Sequence, residues 1–370
     1  MSWLPRQTLP RHLVVAVFWG VVLFLLTTWL SGFRDYQIAN IAFYVVGVAG
    51  LTVLVGLSGQ ISIGNGAFMA VGAYIAALVL RDLGWPLAAV FVASAVFTAL
   101  AGAVVGVAAA RLHGPYLAGA TLMFAVALPA LATHYSDVFG GDQGLTVTIT
   151  TPSSLGLSFP LTRWQAWITC LAALITLVLL ANLTRSRVGR TWRAVRDDEV
   201  AAALAGIDVA RARVLAFVVS AACAGLAGAM LAVTAGLVAP AGFTIALSIA
   251  LLAGAVLGGL GSLAGAVWGS IVLVLLPTYV TNIANSHGLG SSVGSNIPIA
   301  VYGAVLIAVI LVFPDGIQGG LRRLAALTGR VAARPLRHVP RAARRRPPNG
   351  GGSPPEASTE SPPDEGRGHP

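Results

Sequence analysis

The sequence predicts an all-α fold: a polytopic transmembrane helical bundle of about eight to ten spans, including short or broken helices. Three observations predict it. Of 370 residues, 56% are hydrophobic and 10% charged, with a mean hydropathy of +0.83, more apolar surface than a soluble domain can bury. The apolar residues gather in ten segments, most of them matched to a hydrocarbon core of about 30 Å. The arginines gather between the segments, beside their ends, where charge sets topology.

The first segment, 13–30, follows Arg6 and Arg11. It runs into Gly32-Phe33-Arg34-Asp35 without a small-x-small site, so it reads as an uncleaved span rather than a signal peptide. The others are 37–57, 67–80, 87–110, 117–132, 165–183, 214–237, 245–260, 263–280 and 297–313. Residues 67–80 would reach only about 21 Å as a helix. Segments 117–132 and 297–313 are also short. Either neighbouring residues extend these three or some are half-helices. Gly258-Gly259-Leu260-Gly261-Ser262 alone separates 245–260 from 263–280, as a hairpin or a re-entrant turn. The pairs Gly102/Gly106, Gly254/Gly258 and Gly265/Gly269 predict close helix approach.

Charge then orients the chain. Seven arginines lie in 184–213 and nine, with no acid, in 322–346. With Arg6 and Arg11, these mark three cytoplasmic regions. Six segments separate the first two regions and four the last two, both even counts, so the N- and C-termini are expected in the cytoplasm. Arg34 and Arg81 fall outside, each beside an aspartate, and Arg111 inside. Trp164 and Trp167 fall at the outer interface, where indoles are favoured. The chain divides into 1–36, an N-terminal segment with the first span; 37–320, the core with the charged loop 184–213; and 321–370, a basic and then Pro/Gly/Ser-rich tail too polar to fold.

Several function classes are excluded. All 23 basic residues are arginine. Without lysine there is neither a P-loop nor a Schiff base. The net charge of +10 belongs to span-flanking arginines, so no nucleic-acid partner is expected. Cys170 and Cys223 lie inside apolar runs and form no disulfide framework or metal site. There is no HExxH, and His113 and His134 sit at loop edges. The chain is expected to be no enzyme, with no catalytic residue, metal or cofactor of its own. No ionisable residue lies near the middle of a segment, which argues against a stand-alone ion-driven carrier and leaves only a sodium site of carbonyls and hydroxyls open to it.

Two stretches carry the functional signal. Residues 56–68, GLSGQISIGNGAF, are polar and Gly-rich and split two apolar segments. They read either as a broken helix beside a translocation path, with Ser58, Gln60, Ser62 and Asn65 as path residues, or as a short cytoplasmic turn. The Gly-rich break at 258–262 echoes them and hints at a repeated transporter core. The second stretch is the charged loop. Trp192 to Ala205 reads as one helix stopped by Gly206. Trp192, Val195, Glu199 and Ala202 share a face, and Arg193 and Asp197 form an i,i+4 ion pair. Topology alone would need only the arginines.

Glu199-Val-Ala201-Ala202-Ala-Leu-Ala-Gly206 resembles the EAA-type cytoplasmic loop of ABC importer permeases. SGQISIGNGAFMAVGAYIAALV (58–79), GGDQGLT (140–146), residues 185–230, LGGLGSLAGAVWGS (257–270) and YGAVLIAVILVFPDGIQG (302–319) are similar to the LivM-type permease family of branched-chain amino-acid importers. Asn65 stands where that family often has histidine, Val200 intrudes between Glu199 and Ala201, and 112–137, with Pro129 in its middle, matches loosely. The resemblance implies a permease subunit in the bacterial cytoplasmic membrane. It implies a second homologous permease, two ATP-binding subunits carrying ATP and Mg, an extracytoplasmic solute-binding protein that meets the outer loop 133–163, and surrounding membrane lipid. Arg193, Arg196, Asp197, Asp198, Glu199, Ala201, Ala202 and Gly206 would form the coupling helix. Branched-chain amino acids are the family's default substrate. Urea and short amides are carried by similar permeases.

Overall fold

The structure, a computed structural model, describes residues 8–29, 32–110, 115–149, 151, 159–286, 303–304, 307–308 and 316–321. Two units separate, Met1–Ala326 and Leu327–Pro370. The second lies wholly outside the described residues, as does nearly all of the tenth predicted segment.

The other nine predicted segments are helical. They are α1 (Thr8–Trp29), α2 (Gly32–Leu51), α3 (Asn65–Leu78), α4 (Leu87–Ala109) and α5 (Pro115–His134), followed by a single turn, α6 (Ser136–Phe139), and then α7 (Leu161–Arg185). The charged loop forms α8 (Arg187–Asp197) and α9 (Glu199–Leu204). Then come α10 (Val209–Ala235), α11 (Ile245–Gly258) and α12 (Leu263–Ser286). A two-stranded antiparallel pair, β1 (Leu145–Thr146) with β2 (Leu237–Val238), ties the α6–α7 connection to the end of α10. Among the described residues eight helices are long and apolar enough to cross a membrane, and α1 adds the shorter apolar stretch Val14–Leu25. The short segments are extended by their neighbours. A π turn, Val79–Leu83, lengthens α3, and α5 reaches 20 residues. Segments 245–260 and 263–280 form a helical hairpin, α11–α12.

Small residues dictate this packing. α10 is central and lies against α2, α3 and α4. A Cβ on Gly72 of α3 would overlap the Gly225 backbone of α10, and one on Gly228 would overlap Met69 O. Where lipid tails are as apolar as the side chains, such backbone approach supplies the packing energy. The glycine pairs behave as the sequence predicts. Gly102 meets Ala221, Gly106 meets Phe217, Gly254 meets Gly269 and Gly258 meets Gly265. Cys223 is buried, Cys170 is half-buried, and both are free thiols.

Contacts gather at two ends. At one, Asp35 lies 3.6 Å from Arg163, Trp167 Nε1 donates to Thr27 Oγ1 at 2.9 Å, and the β1–β2 pair forms. Asp35 is thus beside Arg163 of α7. Arg81 pairs with its neighbour Asp82 at 2.7 Å. The opposite end carries α8, α9 and both glycine breaks.

Candidate functional site: the glycine breaks and the arginine hairpin

α2 ends in a π turn, Thr52–Leu57. Gly59 N then bonds Val55 O and Gln60 N bonds Leu54 O, each at 3.2 Å. Beyond it the chain is irregular until Asn65. Gln60 Nε2 reaches Arg213 O at 3.1 Å, and Asn65 Nδ2 reaches Ser220 Oγ at 3.3 Å. Residues 60–65 therefore run beside α10 from Arg213 to Ser220, a rise of about 10 Å at 1.5 Å per helical residue. α3 therefore starts beside α10 about three turns in from Val209. This is irregular backbone packed in the protein rather than a solvated turn. Ser58, Gln60, Ser62 and Asn65 are all buried, with Asn65 2% exposed.

Irregular backbone at such depth must find partners in the protein, and it does. Ile63 N bonds Thr121 Oγ1 of α5 at 3.1 Å, Gly64 N bonds Ser62 Oγ at 3.3 Å, and Gly66 N bonds Ser248 Oγ of α11 at 3.0 Å. Gln60 also donates to Ser58 Oγ. Four helices thus converge on an uncharged polar cluster. Thr121, Ser220 and Ser248 were not legible as site residues. Their only signal is a lone hydroxyl in an apolar run.

The charged loop differs from its prediction in three ways. Asp198 interrupts the expected single helix. Its carboxylate accepts from Ala201 N at 2.9 Å and so caps α9, and Asp is a far better N-cap than helix-interior residue. Arg193 does not pair with Asp197. It donates to Gly189 O at 3.0 Å, one turn back in α8, and to Thr184 O at 2.8 Å, one of the last carbonyls of α7, which lack helical partners. Asp197 pairs with Arg196 at 2.7 Å. Ala202 faces inward at 4% exposure, beside the buried Trp192 and Val195. The shared face is therefore real, and it is the face turned to the chain's own core. Gly206 stops α9 in the left-handed region at φ 83°, as predicted.

Three side chains fix the α8–α9 hairpin. Trp192 Nε1 donates to Ala212 O at 2.9 Å, Arg213 Nη2 donates to Glu199 Oε2 at 2.5 Å, and Arg196 Nη1 donates to Gly56 O at 2.6 Å. The solvent side of α9 is apolar. Val200 is 70% and Leu204 85% exposed, with Ala201 and Ala203 also outward. Val200, Ala203 and Leu204 were missed as surface residues because the resemblance drew attention to the acids and small residues.

Long apolar helices around a buried, uncharged polar break define a multi-pass membrane protein. The chain belongs to the branched-chain amino acid transport system / permease component family, whose model matches residues 33–313. It is 32% identical over 286 residues to the high-affinity branched-chain amino acid transport system permease protein LivM of Salmonella typhimurium, covering 71% of this chain and 65% of that protein. It is 29% identical over 296 residues to the corresponding LivH of Escherichia coli, covering 75% and 91%. The chain thus spans somewhat under two thirds of the LivM relatives' length. No solved structure matches it.

Proposed function

We propose that this chain is the permease subunit of an ATP-driven importer of branched-chain amino acids in the bacterial cytoplasmic membrane, with both termini in the cytoplasm. It works beside a second homologous permease. Two ATP-binding subunits, which hold ATP and Mg, dock on the α8–α9 hairpin, and a solute-binding protein delivers cargo at the opposite end. The observation that carries the reading is the hairpin itself. An apolar face of Val200 and Leu204 stands exposed on an arginine-rich segment that is bonded to α2 and α10. Topology needs the arginines alone, whereas an exposed apolar face rimmed by charge fits a protein partner.

Within the hairpin, the outward side of α9 makes the docking contact. Asp197 and Glu199 supply polar contacts, Arg196 ties the hairpin inward to Gly56 O, Asp198 and Gly206 set the helix ends, and Ala202 seats the hairpin. Ser58, Gln60, Ser62 and Asn65 line the path. Their uncharged donors and acceptors suit a cargo whose own charges cancel. ATP-driven closure of the motor subunits shifts the population between inward- and outward-open states.

The experiment is capture of the tagged chain from its native membrane in mild detergent, alongside a Leu204→Glu variant. Recovery of P-loop ATPases and a second permease with the wild type, and loss of the ATPases with Leu204→Glu, is the expected result. Equal ATPase recovery with both sinks the docking face.

A further inference from the structure

The two glycine breaks, 56–66 and 258–262, are far apart in sequence and touch in the fold. A Cβ on Gly56 would overlap the Gly261 amide and stand 2.8 Å from Gly261 Cα. No side chain separates them, so a displacement of one backbone meets the other directly. Gly258 and Gly265 close the α11–α12 hairpin just beyond, each leaving no room for a Cβ on the other.

Arg196 is anchored on the same residue. Its Nη1 donates to Gly56 O at 2.6 Å, within the π turn. Its stem lies over Gly59, where a Cβ would stand 3.0 Å from Arg196 Cγ. Gly59 has φ 73°, a backbone that an L side chain rarely adopts. The chain therefore holds glycine where the arginine passes. The carbonyl that Arg196 takes is one of the last four of a helix, which lack a helical partner. Bonds from a charged donor to such a group are among the stronger ones. A π turn is also a place where a helix already departs from its regular ladder.

We infer that Arg196 is a positioning residue that joins the α8–α9 hairpin to both glycine breaks, so that movement of the hairpin displaces the end of α2 and, through Gly56 against Gly261, the α11–α12 turn. The inference rests on the proposed docking of ATP-binding subunits at α9. It adds the route by which docking reaches the polar cluster. One side of the cluster hangs from the 58–65 segment, which the π turn leads into. Another side hangs from Ser248 on α11, whose far end is the second break. Pulling on Gly56 thus acts on two walls of the cluster together.

The test is amide hydrogen exchange of the full reconstituted complex in nanodiscs, with and without a non-hydrolysable ATP analogue, for wild type, Arg196→Gln and Arg196→Lys. Nucleotide is expected to change exchange at both 52–60 and 259–262 in the wild type by about fivefold or more, the scale of typical allosteric coupling. Arg196→Gln should keep its ATP-binding subunits and lose the response at both segments. Arg196→Lys should recover part of it, because an ammonium reaches the carbonyl without the guanidinium's fixed fork. A wild-type response in Arg196→Gln overturns the inference, as does a wild type that responds at only one segment or at neither. If Arg196→Gln fails to assemble, Arg196→Lys decides. A reduced response at both segments supports the link, and a full response overturns it. Capture of ATP-binding subunits by Leu204→Glu is scored in parallel. Its persistence would sink the docking face while leaving the exchange result readable.

Discussion

Gln60 and Asn65 are five residues apart, yet they bond α10 at Arg213 O and Ser220 Oγ, seven residues apart on a helix. Five helical steps would rise about 7.5 Å, and seven on α10 rise about 10 Å. The stretch from Gln60 to Asn65 must therefore be more extended than a helix, and Gly59, at φ 73°, leads the chain into it. Its amides then lack a helical ladder, and hydroxyls of Thr121 on α5, Ser248 on α11 and Ser62 within the stretch replace it. Sequence, local conformation and the polar cluster are one causal chain here.

Close backbone packing predicts a large stability effect. Gly72 and Gly225 meet backbone to backbone, and neither chain can retreat without moving α4, which packs on α10 through Thr98 and Gly225. Gly72→Leu should destabilise by about 1–3 kcal/mol or more, as overpacking does. A lower thermal midpoint in detergent and a reduced membrane yield would check it. Gly242→Ala is the control, because a Cβ there meets nothing within 4 Å, and its midpoint should stay near the wild type's.

Asp198→Ala removes the cap of α9. Loss of an Asp N-cap costs about 1 kcal/mol, enough to open a short helix roughly fivefold more often. Amides of Ala201 to Ala203 should exchange correspondingly faster. Unchanged exchange there would mean that Trp192 and Val195, rather than the cap, hold the hairpin.

Glu199 and Arg213 join α9 to the start of α10. Arg213 is 15% exposed and Glu199 40%, so the pair is partly shielded and should exceed the few tenths of a kcal/mol typical of open surface pairs. Arg213→Glu should lower ATPase capture several-fold, and the exchange Glu199→Arg with Arg213→Glu should recover part of it. A double-mutant cycle with no coupling would show the pair to be incidental.

Much of this fold was legible because membrane spans announce themselves by length and hydropathy. Nine of the twelve helices described fall on predicted segments, and the glycine pairs found their partners. The broken character of 56–66 was half legible. Its polarity was plain, but choosing between turn and broken helix needed the partners on α5, α10 and α11, each a single hydroxyl in an apolar run. The hairpin was misread where local rules compete. Asp198 in a row of acids looks like helix interior until its carboxylate is seen capping Ala201 N. Arg193 and Asp197 have ideal ion-pair spacing, yet Arg193 turns to the C-terminal carbonyl of Thr184 on α7 and to Gly189 O rather than to a solvated carboxylate. Ala202 looked available for a partner because periodicity gives a face without saying what lies on it.

Asn65 separates stability from transport. Its side chain donates to Ser220 Oγ at 3.3 Å, and bonds between helices in membranes average about 0.6 kcal/mol. Asn65→Ala should therefore shift the thermal midpoint by little more than a degree or two, since about 1 kcal/mol moves a larger protein by roughly 2–4 °C. Ser220→Ala should do the same. If the amide lines the path, the effect on transport is larger than that. Removing a polar group that cargo meets costs the cargo a hydrogen bond, and leaves its own polar atoms unpaired in a dry passage, about 1–3 kcal/mol, or roughly a tenfold loss of uptake. Uptake of radiolabelled leucine into proteoliposomes holding the full transporter, read beside the melting curve, distinguishes the two. A variant that melts as the wild type and transports as the wild type would make Asn65 a strut that fills a gap between α3 and α10, and would move the path away from the break.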